Sequence, residues 1–195
     1  MQKNPISGRF LNASTGLTNQ KLYGILAFNR QKKLYVGKTR ERIFDVEGRS
    51  FEGKKIWIVR INPGEDVLIS LNDFIKANDI KQGVVFMGYG TFSKVSLHWV
   101  THNRFPASNH YDSWEDGIEL MSMNGMIVDG EPHVHLTAST VDGAFGGHLE
   151  EGCIVYVLCE VAILELDGPP MTRKSVEVAK DSQGDPIKKP QLRFS

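Results

Sequence analysis

The chain of 195 residues carries 23 Lys+Arg and 23 Asp+Glu, with 41% hydrophobic and 24% charged residues, the composition of one soluble globular domain with an appended segment. Membrane-spanning, collagen-like and fully disordered classes are excluded on that balance. The zero net charge is itself a cancellation: residues 1–54 hold 11 Lys+Arg and 4 Asp+Glu (+7), and residues 55–195 hold 12 and 19 (−7).

The first fifty residues are rich in Gly, Asn, Ser, Thr and basic side chains, with short apolar pieces at 22–28 and 34–36 flanking Asn29-Arg30-Gln31-Lys32-Lys33. An isolated hairpin of that size is barely stable in water, so these pieces either dock on the main body or stay mobile. The N-terminus lacks the apolar core of a secretory signal, which points to a cytoplasmic protein. The absence of acids before Glu41 also fits an organelle transit segment, so targeting stays an alternative.

From Lys55 the pattern changes, and the main domain is taken as residues 55–193 with 1–54 as a basic extension. Ile56, Trp57, Ile58, Val59 and Ile61 read as a buried strand. Asn62-Pro63-Gly64-Glu65-Asp66 reads as a turn in which Glu65 pairs with Arg60, and Asp66 caps a helix over 67–78. Val67, Leu68, Leu71, Phe74 and Ile75 fall at helical spacing there, which lays the helix on a sheet. Residues 84–87 and 95–100 read as two strands joined by a turn at Gly88-Tyr89-Gly90, and residues 102–116 as a loop. Ile118, Leu120, Met123 and Met126-Ile127-Val128 form the next strand, closed by the hairpin-type turn Asp129-Gly130. Strand-like runs at 134–140 and 154–166 follow. One helix and many strands joined by short turns predict an α+β fold around a mostly antiparallel sheet. Cys153 and Cys159 lie in one apolar run, six apart, and read as buried reduced thiols too far apart to bridge.

Chemistry concentrates in Pro132-His133-Val134-His135-Leu136 and Gly146-Gly147-His148-Leu149. Residues two apart on a strand face one side about 7 Å apart, so His133 and His135 can converge on one ion. The intervening Asp142-Gly143 and Gly146-Gly147 let the chain turn back and bring His148 to the pair. Three imidazoles with a vacant position make a catalytic-type zinc site. The His-x-His pair alone is weak, because a hydrogen-bonded strand surface explains it equally well. Glu119, in an apolar strand, is the acid expected near the sheet interior, as a fourth ligand, a partner of a ligand or a proton carrier; an outward-facing residue is the alternative. Glu150 and Glu151 read as a solvent-facing turn, and Glu160 and Glu165 as a subunit contact or a buried acid. His98, His102 and His110 read as surface or interface residues. No phosphate loop, nucleophile elbow or dinucleotide fingerprint is present.

Several of these stretches, in order, resemble the plants and prokaryotes conserved (PPC) domain: Arg60 with Pro63-Gly64-Glu65-Asp66, Met87-Gly88, Glu119 to Gly125, Pro132-His133-Val134-His135-Leu136, Asp142-Gly143, Gly146-Gly147-His148-Leu149 with Gly152, and Glu160-Val161-Ala162-Ile163. The resemblance implies a trimer and a metal, commonly zinc, held by His133, His135 and His148. It also implies a fold near that of acetolactate decarboxylase, and with it metal-dependent lyase or hydrolase chemistry on a small carboxylate or carbonyl substrate, with Glu119 moving the proton. Plant relatives carry an Arg-Gly-Arg-Pro hook that is absent here. Nucleic-acid binding is therefore not expected of the acidic core. The alternative function is DNA association through residues 1–54.

Overall fold

The computed structural model describes residues 46–195. The apolar pieces at 22–28 and 34–36, the transit alternative and most of the basic extension lie outside the described residues. The order is β1 (Glu52–Ile61), α1 (Val67–Ala77), β2 (Gln82–Val100), β3 (Asn109–Val128), β4 (Glu131–Thr140), β5 (Gly143–Leu149), β6 (Ile154–Asp167), β7 (Met171–Lys180) and β8 (Pro186–Phe194). The first six strands form one sheet in the order β1-β6-β2-β3-β4-β5, antiparallel at every pairing, and β7 and β8 form a separate hairpin. The α+β architecture is the one expected. Among the described residues no helix is long and apolar enough to cross a membrane.

α1 starts where its cap dictates. The Asp66 carboxylate accepts the Ile69 N–H at 3.0 Å, satisfying one of the otherwise orphaned donors of the first turn. Val67, Leu71 and Ile75 are buried at the helix's sheet-facing side, and Phe74 meets Trp57 of β1 edge-on at 5.4 Å. They pack on Phe92, Leu97, Ile118, Leu120, Met123 and Ile127, all fully buried; each such side chain contributes roughly 1.5–3 kcal/mol of burial free energy. The two cysteines are buried and unbridged. Burial pushes the Cys153 thiol up to about 11 and the Cys159 thiol to about 12.

Four local expectations are corrected. β1 is not buried on both faces: Val59 and Ile61 point inward, while Ile56 and Ile58 are 62% and 72% exposed, because the single helix covers one face of the sheet only. Residues 84–87 and 95–100 are parts of one strand, and Gly88-Tyr89-Gly90 runs through it without a turn. A Cβ on Gly90 would stand 2.2 Å from the Leu158 carbonyl oxygen, so that position serves close strand approach. The expected loop over 102–116 is shorter, since β3 begins at Asn109 and pairs with β2 out to Val100. Its end is polar because it carries little of the core on either face. Glu65 does not pair with Arg60; it accepts the Asn62 N–H at 2.7 Å and closes its own turn. The Asp129-Gly130 turn is as read, with φ of 56° and 80° at the two central positions, the signature of a type I′ hairpin.

One long-range feature positions the site. β2 is long enough to pair along one edge with two strands: β6 over most of its length, and β5 at Leu97↔Leu149 and His98↔His148. β2, β3, β4 and β5 therefore close on themselves, and β5 lies between β4 and the far end of β2.

Candidate metal centre

In β4, Val134, Leu136 and Ala138 are buried, so the period of two turns His133 and His135 to the outer face. Their Nε2 atoms stand 3.3 Å apart. The chain reverses at 141–142, and β5 returns with His148 directly opposite His135. The His148 ring centroid lies 4.5 Å from that of His133 and 5.1 Å from that of His135. One nitrogen from each of the three falls within 4.8 Å of the others. On the far side of β4, Gly125 lets β3 approach: a Cβ there would stand 2.2 Å from the His133 carbonyl oxygen.

The donor set fits a divalent transition-metal ion. Nitrogens bound about 2.0–2.1 Å from a tetrahedral ion are separated by about 3.3–3.4 Å, and the His133 and His135 Nε2 atoms already have that spacing. Metal binding requires neutral imidazoles. Burial, followed by the charge a protonated His133 would carry, holds the His148 pKa down to about 4. Burial and then the positive charge of Arg173 lower that of His133. Both shifts favour the neutral, metal-binding form of the rings, and the charge of Arg173 reaches His133.

Three neighbours were not singled out in the sequence for this role. His98 of β2 is paired in register with His148, with ring centroids 4.4 Å apart, and its Nδ1 lies 2.5 Å from the Glu150 Oε1. Glu150 is half-buried, not a free turn residue. Its signal was available, because it follows His148 by two and shares its face if the extended chain continues. His98 and Arg173 had no such signal; only the β2–β5 pairing and the path of β7 bring them in. Glu119 takes the outward-facing placement, the alternative to an interior acid. Ile118 and Leu120 take the buried positions of β3 and leave Glu119 exposed. It pairs with Ser139, four positions from His135 and therefore roughly 13 Å along the strand. Within one chain it does not join the three histidines. Glu165 is the buried acid: Lys54 Nζ at 2.6 Å and Trp57 Nε1 at 3.1 Å hold it, and chiefly the Lys54 bond keeps its carboxyl below the usual range.

Residues 48–167, more than half of the chain and all of the six-stranded sheet, match the Plants and Prokaryotes Conserved (PCC) domain. The chain belongs to that family. Solved structures share the fold: a plant- and prokaryote-conserved protein of Pyrococcus horikoshii (24% identity, TM-score 0.58, 76% of this chain and 100% of that one) and a metal-containing protein of Archaeoglobus fulgidus (20%, 0.58, 73% and 97%). A third, from Bacteroides thetaiotaomicron, bears the name of a proposed DNA-binding protein (22%, 0.55, 71% and 96%). Among curated proteins, a bifunctional protein GlmU of Synechococcus sp. is 26% identical over 112 residues, 57% of this chain. The match spans only 17% of that protein's length. The β7–β8 hairpin lies beyond the residues matched to the family.

Proposed function

We propose that this PCC-domain protein binds a divalent metal ion, zinc, through His133, His135 and His148, and uses the open position for a small carboxylate or carbonyl ligand. The observation that carries this reading is the 3.3 Å separation of the His133 and His135 Nε2 atoms with His148 closing the set. The description of the Archaeoglobus fulgidus relative as metal-containing agrees with it. Bound there, such an ion polarises a carbonyl or carboxylate oxygen or lowers the pKa of a water to about 7, the chemistry of a lyase or hydrolase. The chain's own contribution is to favour the neutral form of His133 and His148 by burial and to offer the Arg173 charge, which acts on His133, to a negative ligand. Glu150, beside His98, is the nearer carboxylate for proton transfer; Glu119 retains that role only where another copy of the chain brings it to the site.

The partner proposed is further copies of the chain in a trimer. Ile56, Ile58, Met87, Tyr89 and Met121 are exposed on the face opposite α1. An apolar surface drawn from β1, β2 and β3 favours association. Elemental analysis of purified protein beside a His133→Ala/His135→Ala variant tests the metal. One or more zinc ions per wild-type chain, with the three-histidine equivalent lost in the variant, supports the reading; metal-free wild type after zinc loading overturns it. Light scattering tests the trimer. DNA association through residues 1–54 is the competing reading, favoured by their +7 charge. It requires binding that weakens steeply with salt and vanishes when those residues are removed.

A further inference from the structure

Three adjacent strands present histidines in one row: His135 on β4, His148 on β5 and His98 on β2, each paired in register with the next. His148 is therefore flanked by imidazole on both sides, at ring separations of 5.1 Å and 4.4 Å. The side toward His98 carries a carboxylate as well, and one donor atom each from His98, His148 and Glu150 falls within 4.8 Å of the others. His98 and Glu150 are 19% and 31% exposed, so this second cluster is partly withdrawn from solvent yet reachable.

We propose that His98, His148 and Glu150 form a second divalent-cation site, sharing His148 with the first. The proposal deepens the three-histidine reading, because His148 belongs to both. A two-nitrogen, one-carboxylate set with an open position is a catalytic zinc donor set. The Glu150 charge offsets the repulsion between neighbouring dications, which a set of neutral imidazoles alone does not. Imidazole has two ring nitrogens, so His148 would turn one toward each ion as an imidazolate, its remaining N–H proton passing to solvent when the second ion binds. His98 Nδ1 and Glu150 Oε1 already lie 2.5 Å apart. An ion bound between them would open the pair by about 1 Å, to the donor spacing of a tetrahedral site.

The test is zinc stoichiometry of the full-length, metal-stripped protein, read by titration calorimetry and by elemental analysis after dialysis. Wild type is expected to take two equivalents, with proton release on the second. His98→Gln/Glu150→Gln is expected to take one, and His133→Ala/His135→Ala also one, with the second-site equivalent weakened at least tenfold only in the former. Cobalt(II) titration of wild type, followed by visible absorption, needs no variant and is expected to break at two equivalents. A single equivalent that persists in His98→Gln/Glu150→Gln and is lost in His133→Ala/His135→Ala removes the second site and leaves the first. No bound zinc at all removes both.

Discussion

Asp66 makes two bonds of different origin, and they can be separated. One carboxylate oxygen caps α1 through the Ile69 N–H at 3.0 Å; the other accepts the Gly152 N–H at 2.5 Å. Gly152 follows Glu150 in the turn between β5 and β6, so this side chain ties the helix start to the strand end that carries His148. Removing an N-cap costs about 1 kcal/mol. Losing a hydrogen bond to a charged acceptor costs about 1.5–3 kcal/mol, toward the lower end where water reaches the site. Asp66 is half-buried, so Asp66→Ala is expected to lose about 3 kcal/mol and to lower Tm by roughly 6–12 °C for a domain of this size. Asp66→Ser keeps a capping oxygen but is too short for Gly152, and is expected to recover about 1 kcal/mol of that loss. Urea unfolding of both variants and wild type, in chelator so that metal linkage does not contribute, measures the two terms. Full recovery by Ser, or a loss below about 1 kcal/mol in Ala, would refute the reasoning, because either result leaves the Gly152 bond without energetic weight.

Metal linkage is measurable without a substrate. Zinc at a hundredfold its Kd is expected to stabilise the protein by about 2.7 kcal/mol per site, a rise in Tm of roughly 5–10 °C; chelator should reverse it and His135→Ala should reduce it. The metal-free protein should be acid-sensitive through His148, whose folded-state pKa of about 4 lies below its ordinary value. Above about pH 6.5 the ring is neutral in both states; as pH falls below that the unfolded chain takes the proton first, so stability declines toward pH 4, by on the order of 2 kcal/mol after allowance for solvent screening. Flat stability of the His148-containing apoprotein across that range, set against His148→Gln, refutes this. Gly125→Ala sets a Cβ 2.2 Å from the His133 carbonyl oxygen; since backbone must move, both zinc affinity and stability should fall, the latter by more than about 2 kcal/mol. Glu165→Leu leaves the Trp57 Nε1 without its acceptor and should cost about 1–3 kcal/mol, checked by thermal unfolding.

Much of the fold was legible because local chemistry and tertiary demand coincide. Asp66 has a side chain suited to capping and stands where the helical spacing of Val67, Leu71 and Ile75 begins. Asp129-Gly130 reads as a hairpin because both positions need positive φ. His133 and His135 share a face by the strand period alone, and the turn at 141–142 returns His148 because a short reversal forces antiparallel pairing. Gly88-Tyr89-Gly90 misled for the converse reason. Glycine serves turns and close packing equally, and only the nearness of Leu158 and Cys159 selects packing at Gly90.

The amino-acid sequence by itself determined the antiparallel α+β plan, the helix boundaries and the three-histidine cluster, all consequences of side-chain period and turn chemistry within about fifteen residues of chain. Only the tertiary structure decided which face of β1 is left uncovered, that Glu119 stands apart from the histidines, and that His98, fifty residues from His148, lies against it. Those facts depend on which strand edge β2 offers to β5 and on how many layers cover the sheet. Neither is written in any local pattern, because strand pairing is chosen by the backbone edges left free once the rest of the sheet has formed.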